Sequence, residues 1–349
     1  MKKNLKKGTD AFTLDKLLPG DILTFKGNPK DTISRLIMRL TNNSDVSHGA
    51  IFVQQKDFVL AEAGELGIHA HMMKMAESGG SEVYVLRHQK ANRKGVQIAA
   101  NIAKDYVLQD LPYPFSDLIL LGLILLFKNG VKQNFMSKVV VEFLCLVAAE
   151  IKSKIDGKKG QDYLTMVCSS YVYQCYLDAS KKDSSLKLNI KDGDAGVKVP
   201  RSLTKKSRTP NTLLDVFEDL VKNGGDDIKK VLLTKRKRLG AKKHRPVKKI
   251  LEELEKELSV KCREKLKITS IDFQIVKDFI LAIKDIAQAV SEISNDDNLS
   301  IGEMIQNLRK FQAMFVTPND LRYHLTNADY IGLLKVNRSG SDYDDNFKK

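Results

Sequence analysis

Residues 118–127 are an uncharged run of leucine, isoleucine, glycine and phenylalanine, and any fold of this chain must shelter them from water. About ten apolar residues is roughly half of what a bilayer-spanning helix requires, so the run cannot cross a membrane alone. A second apolar stretch, 139–149, is interrupted by Glu142, and Lys128, Lys132 and Lys138 lie between the two. Two structures satisfy this pattern. One is a buried helical hairpin; the other is an element that dips into a membrane or binds an acyl chain.

The surrounding sequence changes period. Between residues 18 and 88, Pro19-Gly20-Asp21 is a turn, and strands are expected at 22–25, 48–53, 58–63 and 82–87, forming one small sheet. Ile33, Leu36, Ile37 and Leu40 have the spacing of a short amphipathic helix. Helical patterns return at 95–107 and 167–177. A polar, basic stretch follows, including Lys235-Arg236-Lys237-Arg238 and Lys242-Lys243-His244-Arg245, and reads as mostly solvated linker. Beyond Pro246 three amphipathic helical patterns predict a helical subdomain.

With 349 residues the chain is long enough for one large or two medium domains. Its first residues are basic but lack the apolar run of a signal peptide, which makes the cytoplasm the default location, with peripheral membrane attachment and specialised secretion as alternatives. Four cysteines, at 145, 168, 175 and 262, lack framework spacing, and reduced thiols are expected. A net charge of +15 suggests an anionic partner: an anionic membrane surface, an acidic protein or, less favoured, nucleic acid. No Walker-type loop, His-Glu-x-x-His or Cys-x-x-Cys is present, so neither a cofactor nor a metal is expected.

A thiol becomes a nucleophile when an adjacent histidine or a helix N-terminus favours its ionised form. Cys168 opens the helical sequence Cys168-Ser169-Ser170-Tyr171-Val172-Tyr173, where unpaired backbone N–H groups would stabilise a thiolate and later an oxyanion. His48 stands where a polar turn runs into a strand, and Glu62 lies on the next strand, within reach if the register allows. Each has an ordinary alternative: a small core cysteine, a structural histidine, an exposed strand glutamate.

Taken together and in order, five elements resemble the permuted papain-like hydrolases of the NlpC type, in particular the YiiX-like branch. They are Pro19-Gly20-Asp21-Ile22-Leu23, Ser47-His48-Gly49-Ala50-Ile51, Val59-Leu60-Ala61-Glu62-Ala63, Leu111-Pro112-Tyr113 and Val167-Cys168-Ser169-Ser170-Tyr171-Val172. The resemblance implies Cys168 as nucleophile, His48 as base, Glu62 as its orienting group and Tyr113 near the oxyanion or substrate. Glu65 is the fallback orienter, and His69 and His71 are read as surface residues or as supports behind the site. Two departures stand out: Pro114 follows Tyr113 where the family has Asp, and the apolar hairpin is inserted before the cysteine.

The fold this implies is α+β: a circularly permuted papain-like fold with a small antiparallel sheet or barrel, an apolar helical insertion and a helical C-terminal region. Its parts are a lead at 1–17, a catalytic domain at 18–180 containing the insertion at 117–159, a basic linker at 181–246, a helical subdomain at 247–315, a return to the catalytic domain at 316–338 and a tail at 339–349. Thr317-Pro318-Asn319-Asp320-Leu321 looks like a segment that closes some family members, and Thr209-Pro210-Asn211-Thr212-Leu213 competes for that role. The activity implied is that of a cysteine hydrolase or acyltransferase acting on an amide or ester, with lipids among the candidate substrates. Peptidase or cell-wall amidase activity, a secreted effector of the same fold, and a non-enzymatic scaffold or anionic-surface binder are the alternatives.

Overall fold

A computed structural model of the chain describes residues 12–64, 67–89, 93–109, 117–128, 137–156, 168–191, 212–233, 246–259, 272–292 and 300–338. Six strands, β1 (Ile22–Lys26), β2 (Val46–Gln54), β3 (Val59–Gly64), β4 (Gly67–Met75), β5 (Ser81–His88) and β6 (Ala328–Arg338), close an antiparallel barrel. The order around it is β1, β2, β3, β4, β6, β5 and back to β1. Alternate residues of every strand fill the lumen: Leu23 and Phe25, Ala50 and Phe52, Leu60, Met73, Val83 and Val85, Leu334 and Val336. The intervening residues, among them Ile22, Ile51, Val53, Val59, Ala61 and Leu86, face the helices outside. Both faces of β1, β2 and β3 are therefore largely buried, as the period of two requires where helices cover the outside of a barrel.

Two of these strands are not legible in the sequence. β4 places His69 and His71 among its apolar residues, and β6 buries few side chains completely while exposing Asp329, Tyr330, Leu333 and Lys335. Their pairing partners, rather than their own pattern, make them strands.

Ten helices are described: α1 (Thr32–Leu40), α2 (Arg93–Leu108), α3 (Asp117–Phe127), α4 (Lys138–Asp156), α5 (Cys168–Lys182), α6 (Leu213–Asn223), α7 (Asp226–Leu233), α8 (Val247–Ser259), α9 (Phe273–Glu292) and α10 (Ile301–Met314). The apolar run is the hairpin's first arm, α3, and every residue from Ile119 to Phe127 is buried. It packs against α1, α4 and α6, and the rings of Phe311 and Phe315 lie 6.0 and 5.5 Å from that of Phe127. Gly122 permits the close approach to α4, since a Cβ there would lie 2.5 Å from the Val147 side chain. A helix that is apolar on every face needs such surroundings. Of the two alternatives, α3 takes the form of a buried hairpin arm and keeps no apolar face at the surface. Among the described residues no helix is long and apolar enough to cross a membrane.

The interval expected to be linker also differs, since it contains α6 and α7. Thr212 caps α6 with a reciprocal box to Asp215, and Leu213, Leu214, Val216 and Phe217 are buried. Their one-sided spacing wins over the charge of the neighbouring segments. The hairpin and the C-terminal helices share one apolar core with the outside of the barrel.

Candidate active site

The helix that opens at Cys168, α5, is anchored by several bonds. Within α5, the Tyr171 hydroxyl donates to the Ala103 carbonyl at 3.0 Å, and the Tyr176 hydroxyl donates to the carbonyl of Gly20 in the Pro-Gly-Asp turn. The Ser169 hydroxyl donates to the Val316 carbonyl at 2.6 Å, and the Val316 N–H donates to Ser170 Oγ at 3.0 Å. Val316 introduces the second Thr-Pro-Asn segment, whose Thr317, Asn319, Asp320 and Leu321 are buried. Gly49 is what lets α5 and this segment reach β2. A Cβ there would meet Leu321 Cδ1 at 3.1 Å and Ser169 Cα at 3.4 Å.

Cys168 is the first residue of α5, where the N–H groups of a helix's first turn lack intrahelical acceptors. The thiol is nearly buried and hydrogen-bonded to His48. His48 stands opposite Phe25 in the β1–β2 ladder, with the two ring centroids 5.6 Å apart, and its side chain is 19% exposed. Glu62 pairs with Ala50, two residues along β2 from His48 and on the same side of the strand. The small Ala50 side chain leaves room for the diagonal contact, and His48 Nε2 lies 2.9 Å from Glu62 Oε2.

Two further residues hold the carboxylate. His71 Nε2 is 3.2 Å from Oε1, and Arg338 Nη1 donates to Oε1 at 2.8 Å and to Oε2 at 2.7 Å. Burial works against a charge on Glu62, but the charge and hydrogen bond of His48, the hydrogen bond from His71 and the Arg338 guanidinium hold it well below the usual carboxylate range. An ionised carboxylate only accepts hydrogen bonds, so the His48 Nε2 carries a hydrogen and Nδ1 is left for the thiol. Burial also disfavours a charged His48, yet negative charge on Cys168 and Glu62 and the hydrogen bonds to both raise its pKa well above the ordinary histidine value.

Cys168, His48 and Glu62 are thus brought together. Tyr113, Glu65 and the earlier Thr-Pro-Asn copy at 209–211 lie outside the described residues. Sequence reasoning missed Arg338, a polar residue near the chain's end with no local signal, and undervalued His71. The alternation of His69 and His71 was the one available hint, because it marks a strand with both residues on one face, where His69 pairs with Glu62 across the ladder and the His71 ring reaches its carboxylate. Cys145, Cys168 and Cys175 are in no disulfide, and burial pushes Cys175 upward, away from an ionised form. Among the described residues no cluster of His, Cys, Asp and Glu is arranged to hold a metal ion. No family model matches the chain, and neither the curated proteins nor the solved structures include a match.

Proposed function

We propose that the protein is a cysteine hydrolase or acyltransferase that attacks an amide or ester carbonyl with Cys168, and that its barrel and helices form a circularly permuted papain-like domain. The observation that carries this reading is the continuous chain of contacts from Cys168 through His48 to Glu62, with the thiol at a helix start. The order His48, Glu62, Cys168 along the chain supports the resemblance to the permuted NlpC-type enzymes.

In the first half-reaction the thiol proton resides on Nδ1 of His48 and the thiolate attacks the carbonyl carbon, placing negative charge on the carbonyl oxygen. The N–H groups at the start of α5 stabilise that oxygen, with Tyr113 as the further donor implied by the family resemblance. Collapse of the adduct expels an amine or alcohol, which takes the proton from Nδ1, and a thioester on Cys168 remains. His48, now neutral with its hydrogen still on Nε2, removes a proton from water or an acceptor alcohol or amine, which attacks the thioester and releases the thiol. The substrate class is an amide or ester, with lipids kept among the candidates by the net charge of +15, which suits an anionic membrane surface.

The test is acyl-enzyme trapping. Incubation with p-nitrophenyl acetate followed by intact-mass analysis is expected to add one acetyl group at Cys168, removable by hydroxylamine. Cys168→Ala abolishes the adduct and His48→Ala slows its formation at least tenfold. Acetylation that ignores both substitutions sinks the proposal and leaves the scaffold reading.

A further inference from the structure

We propose that Arg338 is a positioning residue that keeps Glu62 ionised and turned toward His48 after the acyl-enzyme has formed, so that its loss impairs deacylation more than acylation. This rests on the reading of Cys168 as nucleophile and His48 as base.

The groups facing Glu62 come from several strands: His48 from β2, His69 opposite it on β4, His71 two residues further on, and Arg338 from the last position of β6. Cys168 of α5 acts on it through His48. Imidazoles gain and lose protons near neutral pH, whereas a guanidinium stays charged. Among the described residues Arg338 is therefore the permanent cation at this carboxylate.

During acylation His48 is an imidazolium and itself stabilises the Glu62 charge. Once the leaving group has taken the proton, that support ends. A carboxyl group with 9% side-chain exposure and no cation would tend to take up a proton. A protonated Glu62 would donate to Nε2, moving the imidazole hydrogen to Nδ1 and abolishing the base that deacylation needs. Arg338 prevents this exchange by contacting both oxygens at 2.7 and 2.8 Å. Its own position is set twice: its backbone pairs with Met73 on β4, and its guanidinium lies 4.7 Å from the centre of the Phe25 ring, which packs on His48.

The experiment follows p-nitrophenyl acetate turnover under pre-steady-state conditions from pH 5.5 to 9. Arg338→Gln is expected to leave the acylation burst within about threefold of wild type and to slow acetyl-enzyme hydrolysis at least tenfold at pH 6, with recovery toward pH 9. Arg338→Lys, which retains the charge, recovers most of the loss, and in a Glu62→Gln background Arg338→Gln adds less than twofold. Equal loss in both steps at every pH, or full additivity with Glu62→Gln, overturns the proposal by assigning Arg338 a structural role. The His48 ring titration by NMR gives a readout that needs no turnover. Arg338→Gln is expected to raise the midpoint by at least half a pH unit in the Glu62 protein, and an unmoved midpoint contradicts the coupling. Absence of any burst in wild type, with the midpoint shift present, refutes the enzyme reading alone.

Discussion

Glu62 receives three side chains on two oxygens, and this arrangement governs the behaviour of the site at the scale of single residues. Replacing Glu62 with Gln removes a negative charge beside His48, so the histidine pKa falls toward its ordinary value of about 6.5. The alkaline limb of Cys168 reactivity is expected to move to lower pH, as measured by iodoacetamide labelling across a pH series; an unmoved limb would mean that Glu62 does not support the imidazolium. The linkage to stability has two signs. The depressed folded-state pKa of Glu62 contributes stability above its unfolded value, about 4.3, and that contribution is lost as pH falls through the folded value. The raised pKa of His48 contributes below about 6.5 and is lost as pH rises through the folded value. Urea midpoints of wild type and Glu62→Gln should therefore differ most between those limits and converge at strongly acid pH. Cys168, His48 and Glu62 were legible in the sequence because each sits in a short motif with its own residue chemistry. Arg338 was not, since only closure of the barrel brings it from the end of β6 to a residue of β3.

At the scale of elements, the seat of α5 on β2 depends on the missing side chain at Gly49. Gly49→Ala presses a Cβ against Leu321 Cδ1 at 3.1 Å, where a side-chain end can yield, and brings it to 3.4 Å from Ser169 Cα; Gly49→Val adds two methyl groups to that crowding. The valine variant is expected to lose about 1–3 kcal/mol of stability and to slow Cys168 labelling at the same time. A valine variant that is destabilised yet labels normally would show that α5 is positioned without this contact. The strands at β1, β2, β3 and β5 announced themselves through alternation and turn chemistry, and α1 through its apolar spacing. β4 and β6 did not, because a strand that completes a barrel can borrow its register from both neighbours. For α3 the run told that burial was needed but not by what; its covering helices include α6, from an interval dominated in the sequence by charge.

At the scale of the whole molecule, ion pairs tie together helices from distant parts of the chain around one shared apolar core. Arg35 of α1 makes paired bonds of 2.8 Å to Glu255 of α8, and Arg309 of α10 reaches Asp215 at 2.5 Å and Glu218 at 2.6 Å on α6. Lys128, just past α3, lies 3.5 Å from Asp320 in the turn Asp320–His324, and both side chains are buried. Asp320→Asn leaves the Lys128 charge buried without that carboxylate and is expected to cost about 3–5 kcal/mol, read as a lower urea midpoint of one cooperative transition. A shift under 1 kcal/mol would show that this pair does not join hairpin and barrel.

Pairing of Cys168 with His48 is read in the rate at which iodoacetamide alkylates Cys168 at pH 6. Labelling at Cys168 is expected to run at least tenfold faster than at a simple thiol and to lose that advantage in His48→Ala, with Cys175 protected by burial. Labelling of Cys168 at the rate of a simple thiol, unchanged by His48→Ala, would contradict the pairing.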